Sequence, residues 1–382
     1  MVDRKRILLI FGTRPETIKM APVWRALRAL PDIFDARTVV TAQHRHMLDQ
    51  ALADFKIAPE FDLDIMRDDQ DLFHITCRAL EGMKAVLEDF QPDCVLVQGD
   101  TTTTFAGALA AFYKRTMIGH VEAGLRTYDK FSPYPEEINR RLTGCMADLH
   151  FAPTERARSN LLSERVHDKD IHVTGNTGID ALMWILANQP SSFDRVLPPR
   201  TLAAIDGRFI LVTTHRRESF GAPLVESLNA IHDVAVRFPD IGIVFPVHPN
   251  PNVKAVVHQF LGNTPNVHLI APLDYVNFSH LMNRAEIILT DSGGVQEEAP
   301  SLSKPVLVMR ETTERPEGIE AGVAKLVGTN RAMIVSEVCR LVTEPEYKMS
   351  MTGKANPYGD GLASDRIVAA LTRRLAVPDI ER

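Results

Sequence analysis

Long apolar runs are missing from this 382-residue sequence, and with them any stretch of membrane-spanning length. The first apolar run, Ile7–Phe11, is too short for the core of a secretory signal and leads directly into Arg14 and Glu16. Cysteine is scarce: Cys77, Cys94, Cys145 and Cys339 are scattered with no C-x-x-C pair. They read as reduced core residues rather than disulfides or metal ligands, and a cytoplasmic setting is expected. His44-Arg45-His46 lacks the i, i+4 spacing of helical metal ligands, so no metal site is expected. Positive charge is not in excess either, since 43 Lys and Arg against 49 Asp and Glu leave a formal charge of −6. That balance offers no long-range attraction to nucleic acid or to an anionic membrane, and any anion must be held by local groups. No G-x-G-x-x-G occurs, so nothing specifies NAD, and no short repeat or low-complexity tract is present.

What the sequence does contain is a regular alternation of short apolar runs with helical patterns, the mark of parallel sheets with crossover helices. In the first half the strands are Ile7–Phe11, Ala36–Thr41, Cys94–Gln98, Met117–Val121, His150–Ala152 and Ile171–Val173. In the second they are Phe209–Val212, Gly242–Phe245, Val267–Ile270, Ile287–Leu289, Val306–Val308 and Lys325–Val327. The length exceeds one ordinary core, so two α/β domains are expected, each a doubly wound sheet. The boundaries expected are residues 1–174 for the first domain, completed by a terminal amphipathic helix within 362–382, and 175–361 for the second. Asn188–Pro199, rich in Pro and Ser, reads as a loop soon after the crossing.

Two strand-to-helix turns share one grammar: ILLIFGTRPE at Ile7–Glu16 and IILTDSGGVQEE at Ile287–Glu298. Each puts backbone N–H groups and a helix start at the carboxyl end of a strand, where phosphate oxygens are favourably held. Two such turns suggest one diphosphate ligand between two domains. Gly12 permits the tight turn, Arg14 adds a charge-assisted fork and Lys19 follows one turn later. The ordinary alternative is a capped turn with solvated cations. In the second turn, Ser292, Gly293 and Gly294 allow close approach of backbone to ligand, and Glu298 is placed to accept from a ribose diol; a carboxylate favoured by the helix dipole is the plainer account. Arg315 is a further phosphate candidate that Glu314 and Glu317 would neutralise.

Three acids stand out for chemistry. Asp100 follows the strand Cys94–Gln98, where it either meets a ligand or caps the next helix. Glu122 follows Met117–Val121 among apolar and small neighbours, an arrangement suited to proton transfer unless Arg126 simply pairs it. Glu136 and Glu137 stand four residues before Arg140 and Arg141, so two helical ion pairs are expected; if one face meets a ligand, Glu136 and Arg140 join the site. His215 follows Phe209–Val212 and is placed to donate to a phosphate or act on a leaving group, with a hydrogen-bonded loop histidine as the alternative.

Taken together, these motifs resemble the non-hydrolysing UDP-N-acetylglucosamine 2-epimerase family over nearly the whole chain. They are GTRPETIKMAP at Gly12–Pro22, TAQHR at Thr41–Arg45, GDTTTTFA at Gly99–Ala106, GHVEAGLRT at Gly119–Thr127, PEEINRR at Pro135–Arg141, VTGNTGIDAL at Val173–Leu182, HRRESFG at His215–Gly221, TDSGGVQEEAPSL at Thr290–Leu302 and TTERPEG at Thr312–Gly318. The resemblance implies that the two domains are Rossmann-like in a GT-B arrangement with a cleft between them, a UDP-sugar substrate, a homodimer and a cytoplasmic supply of UDP-N-acetylmannosamine. It also implies the chemistry: a base removes the carbon-2 proton as UDP leaves carbon 1, and UDP re-adds to 2-acetamidoglucal with protonation from the other face. No redox cofactor is then required. Asp100, Glu122 and Glu136 match the family's catalytic acids, without assignment of base and acid, and His215 its leaving-group helper. Arg14, Lys19, Arg140, Ser292, Gly293, Gly294 and Arg315 match substrate-binding positions, Glu298 the ribose ligand and Phe278 a base contact.

The departures are as informative. Gln98 stands where the family commonly has His, and Thr214 where it has a small residue. Many bacterial members bind a second UDP-N-acetylglucosamine as activator; here Gln43, Arg45, Gln70 and His248 are present for such a site, but His46 and Asp69 replace expected partners. Weak or absent activation by substrate is expected. Three other functions remain open: a hydrolysing 2-epimerase, a GT-B glycosyltransferase and a non-catalytic UDP-sugar sensor, besides a modified N-acetylhexosamine as the true substrate.

Overall fold

The computed structural model describes residues 4–42, 45–67, 70–214 and 221–376. The chain forms two compact units, Met1–Trp184 with Gly359–Arg382, and Ile185–Tyr358.

The first unit carries a seven-stranded sheet in the order β3-β2-β1-β4-β5-β6-β7. Its strands are β1 (Lys5–Phe11), β2 (Phe34–Val40), β3 (Phe61–Asp62), β4 (Cys94–Gln98), β5 (Met117–Val121), β6 (Leu149–Ala152) and β7 (Ile171–Val173), and every pairing is parallel. Helices α1 (Arg14–Arg28), α2 (Arg45–Asp54), α3 (Leu72–Phe90), α4 (Thr102–Tyr113), α5 (Glu136–Met146) and α6 (Glu155–Ser163) connect them, and α7 (Thr177–Asn188) follows. Ile7–Phe11 are all fully buried because β1 has a neighbour on each side and helices over each face, which explains its unbroken apolar run. Helix starts follow the polar residue before each apolar pattern: Asp71 caps α3 by accepting from His74 N at 2.7 Å, and Thr154 caps α6 by accepting from Ala157 N at 3.2 Å.

The second unit carries a six-stranded parallel sheet, β10-β9-β8-β11-β12-β13. It comprises β8 (Phe209–Thr213), β9 (Gly242–Pro246), β10 (Val267–Ile270), β11 (Ile287–Thr290), β12 (Val306–Val308) and β13 (Ala324–Leu326). Its helices are α8 (Phe193–Val196), α9 (Pro199–Ile205), α10 (Ala222–Arg237), α11 (Pro251–Leu261), α12 (Tyr275–Arg284), α13 (Gly293–Glu298), α14 (Pro316–Glu320), α15 (Arg331–Thr343) and α16 (Pro345–Met351). A core of Ile210, Val212, Phe245, Ile287, Leu289 and Leu307 packs beneath α10 and α15 residues such as Ile231 and Val338.

The last helix, α17 (Ala363–Ala376), belongs to the first unit and lies against α1. Asp180 of α7 ties its start down, accepting from Ala363 N at 3.2 Å, Ser364 N at 2.8 Å and Ser364 Oγ at 2.6 Å.

Three details differ from the sequence reading. The supposed loop Asn188–Pro199 contains the one-turn helix α8, and Pro199 starts α9, where its fixed φ and missing N–H cost nothing. The chain leaves the first unit within α7, further along than Thr174. Cys94 and Cys339 are buried, but Cys77 and Cys145 are exposed on α3 and α5 rather than in a core. No helix among the described residues is long and apolar enough to cross a membrane.

Candidate functional site

Each sheet changes direction once, between β1 and β4 in the first and between β8 and β11 in the second. Connections leave such a pair on opposite sides, opening a crevice at the strand carboxyl ends where α/β proteins place ligands. Gly12 to Arg14 follow β1 and Gly99-Asp100 follow β4, with Glu122 one strand over after β5. In the second sheet Thr214 follows β8, and Asp291 to Gly294 follow β11. The expected His215 and Gln43 lie outside the described residues.

In the first turn, the backbone amides expected for a phosphate are bonded to a side chain of the protein. Glu16 Oε2 already accepts from Gly12 N at 3.0 Å, Thr13 N at 2.8 Å and Thr13 Oγ1 at 2.8 Å. Its Oε1 accepts from Thr101 Oγ1 at 2.6 Å and Thr104 Oγ1 at 3.0 Å. The amides expected for an anion are thus filled by the protein's own carboxylate. Burial raises the Glu16 pKa above the usual carboxylate range, against the opposing pull of those donors. Sequence reasoning passed over this residue although Thr13-x-x-Glu16 spells a capping box. Gly12 is needed for proximity rather than for turning: a Cβ there would stand 2.0 Å from Thr41 Oγ1 and 2.6 Å from Thr103 Oγ1. Arg14 has neither an ion pair nor a hydrogen bond among the described residues.

Glu122 is not paired with Arg126. Lys19 Nζ bonds its Oε1 and Gln98 Nε2 its Oε2, so the lysine expected at a phosphate is engaged here by a carboxylate. Arg126, whose side chain is wholly buried, forks onto Glu164 at 2.8 and 2.7 Å and holds that carboxyl below its usual range. Glu122 sits at φ +63°, a left-handed conformation that a non-glycine residue adopts only when its surroundings hold it there.

Asp100 does not cap α4; Thr101 does, accepting from Thr104 N at 3.1 Å. That leaves the Asp100 carboxylate to Arg140, whose Nη2 donates to it at 2.5 Å, while Asn139 Nδ2 donates to the Asp100 carbonyl at 3.0 Å. Neither expected i, i+4 pair on α5 is present among the described residues. Arg140 reaches Asp100 and Glu137, Arg141 approaches Glu164 at 3.8 Å, and fully buried Glu137 accepts from Thr127 N and Tyr128 N. Glu136 has a buried Oε2 without a hydrogen-bond partner among the described residues.

His120 was visible only as part of a motif. Its Nε2 donates to the Gly99 carbonyl at 2.7 Å, bracing the turn that carries Asp100. His150 is its register partner on β6. Burial pushes His120 down to about 3 and His150 down to about 4, so both imidazoles are neutral.

In the second unit Ser292 caps the six-residue α13 without a side-chain bond, and no acid stands in its first turn. Gly293 is buried and Gly294 exposed, with nothing within 4 Å of where a Gly294 Cβ would stand. Thr214 Oγ1 donates to buried Asp291 at 3.0 Å. Glu298 accepts from Tyr275 Oη at 3.2 Å, and burial first, then Glu298, drives the Tyr275 pKa up. Half-buried Phe278 stands one helical turn from the start of the same helix, α12. Arg315 Nε donates to Glu297 at 2.7 Å, a partner not expected, and Nη1 to the expected Glu314 at 3.3 Å. Of the four residues considered for a second nucleotide-sugar site, Arg45 is engaged by Asp62, Asp49 and Asp64 at 2.5, 3.2 and 3.5 Å. Gln70 has a buried Oε1, and His248 Nδ1 accepts from Asn250 N at 3.2 Å.

The family described as UDP-N-acetylglucosamine 2-epimerase matches residues 25–372. The chain is 55% identical over 372 residues to the UDP-N-acetylglucosamine 2-epimerase of Escherichia coli strain K12, spanning 96% of this chain and 98% of that one. It is 50% identical over 370 residues to that of Bacillus subtilis strain 168, spanning 97% and 96%. The crystal structure of UDP-GlcNAc 2-epimerase from Neisseria meningitidis bound to UDP-GlcNAc is similar with a TM-score of 0.87 and 48% identity, over 96% of this chain and 100% of that one.

The buried histidines make stability pH-dependent. Their folded-state values of about 3 and about 4 lie below the ordinary 6.5, so their contribution is complete above pH 6.5 and is lost as pH falls towards 4 and 3. Urea denaturation at about pH 7.5 and about pH 5.5 should show a loss on the order of 1 kcal/mol per histidine at the lower pH. His120→Gln and His150→Gln should each shrink that difference, and a double variant with the wild-type pH dependence would refute the assignment.

Proposed function

The chain belongs to the UDP-N-acetylglucosamine 2-epimerase family, and from that premise we propose that it interconverts UDP-N-acetylglucosamine and UDP-N-acetylmannosamine without hydrolysing the nucleotide. The observation that carries this reading is the pair of carboxylates Asp100 and Glu122 at the carboxyl ends of adjacent strands, each held by a cation from a different helix. Proton removal from one face of carbon 2 and return to the other needs two separately held acid-base groups, and Glu136 supplies a third carboxyl that no cation neutralises among the described residues.

The carbon-2 hydrogen is not adjacent to a ketone, so a free carbanion there would be unstabilised. In the proposed route a carboxylate takes that proton while the carbon 1 to oxygen bond breaks and UDP leaves with the electron pair, giving 2-acetamidoglucal. UDP then attacks carbon 1 and a second group protonates carbon 2 from the opposite face. In the second unit the start of α13, free of first-turn acids, is proposed for the diphosphate; in the first, Arg14, which no carboxylate engages among the described residues, is proposed as a substrate contact. Arg315, Lys19 and Arg140 join them only by sharing or leaving their present carboxylates. Glu298 is proposed for the ribose, Phe278 for the base and His215 for the departing diphosphate. The homodimer implied by the resemblance is proposed to form through α3, α4 and α5, which expose Phe73, Phe112, Tyr113 and Leu142.

Proton NMR with UDP-N-acetylglucosamine in deuterium oxide should show UDP-N-acetylmannosamine carrying deuterium at carbon 2. Free N-acetylmannosamine with UDP would indicate hydrolysis instead, and no exchange with retained UDP binding would indicate a modified sugar or a sensor. Because three carboxylates occupy Arg45, initial rates from UDP-N-acetylmannosamine should be hyperbolic; strong sigmoidality relieved by added UDP-N-acetylglucosamine would contradict this. Sedimentation should return about twice the 42.6 kDa chain mass, and a monomer would sink the proposed dimer.

A further inference from the structure

Glu16 does more than end a helix neatly. Capping α1 requires only Oε2, which takes the Gly12 and Thr13 amides. An exposed glutamate would do the same at less desolvation cost. Oε1 instead leaves α1 altogether and binds two hydroxyls at the start of α4, and this draws the carboxylate to 1% exposure.

Those two hydroxyls lead separately to the proposed acid-base groups. Thr101 is the chain neighbour of Asp100 and caps α4 with the same oxygen that meets Glu16. Thr104 Oγ1 lies 2.6 Å from the Gln98 carbonyl as well as 3.0 Å from Glu16. The Gln98 amide in turn donates to Glu122. Lys19, three residues after Glu16 on α1, holds the other Glu122 oxygen. Gly99 between them has φ +72°, so the end of β4 does not by itself determine where Asp100 points.

We propose that Glu16 is a positioning residue, which through Thr101 and Thr104 sets the placement of Asp100 and Glu122 relative to each other. The inference rests on the epimerase reading, because two-face proton transfer is what makes that placement matter. A misplacement of about 1 Å in a reacting group can cost about 100-fold in rate.

The test uses the full chain carrying Thr104→Val, which keeps the shape and removes the hydroxyl, and Thr104→Ser, which restores it. Thr104→Val is expected to lower kcat at least about tenfold while KM and the UDP dissociation constant move less than about threefold, and Thr104→Ser to recover most of the rate. A helix-capping role alone would lower the melting temperature and leave kcat per folded molecule untouched. Folded Thr104→Val with wild-type kcat overturns the proposal, as does an equal loss of kcat and UDP affinity. Should Thr104→Val not fold, Glu16→Asp, one methylene too short to span both helices, must show the same kcat-selective loss. If wild type itself neither epimerises nor exchanges carbon 2, the functional reading fails on its own account. The tie is then judged by amide hydrogen exchange at Asp100 and Thr101, which must quicken in Thr104→Val; unchanged protection overturns it.

Discussion

A strand buried on both faces has no room for polar chemistry along its length, and this constraint organises the whole molecule. β1, β4, β8 and β11 are almost entirely apolar because each lies mid-sheet with helices over both sides. Functional groups are thereby displaced to the few residues just past each strand, where backbone amides are unpaired and side chains can converge. Parallel pairing aligns all those ends on one edge of each sheet. That is why Gly12, Asp100 and Glu122, far apart in sequence, become neighbours through β1, β4 and β5.

Placing carboxylates at such an edge is costly unless something answers their charge, and the partners used are not those nearest in sequence. Arg126, four residues from Glu122, goes to Glu164, and Arg140, four from Glu136, goes to Asp100. In both cases the shortest contact is to an acid of another element, where a bidentate or short charge-assisted bond is stronger than a looser pairing with the acid four residues away. The result is a set of pairings across elements, Arg140 with Asp100 and Glu137 and Arg126 with Glu164, that leaves Glu136 Oε2 without a hydrogen bond among the described residues.

Much of this was legible in the sequence. Period and apolar runs place the main strands of both sheets, since buried parallel strands need unbroken apolar stretches; only the two-residue edge strand β3, with one neighbour to satisfy, escapes that signal. The candidate residues Asp100 and Glu122 were found because they follow such strands. Their partners were not, for sequence spacing reports neighbours along one helix and says nothing of contacts such as Lys19 to Glu122, made 103 residues apart. Exposed Cys77 and Cys145 show the same limit, as a scattered cysteine carries no sign of which helix face it occupies.

The two strand-to-helix turns that look alike in sequence are physically opposite, and one residue makes the difference. α1 has Glu16 at its third position, where the carboxylate folds back onto the Gly12 and Thr13 amides and neutralises the positive end of the helix. α13 has Val295 at the corresponding position, no acid in its first turn, and a glycine whose missing side chain leaves open space. An anion approaching the first turn would meet a helix end already answered by the Glu16 carboxylate, and would have to be held by side chains such as Arg14 rather than by the turn's amides. One approaching the second would find a first turn that carries no acid of its own. The shared grammar of the two turns thus builds an internal brace in one unit and leaves an anion-competent helix start in the other.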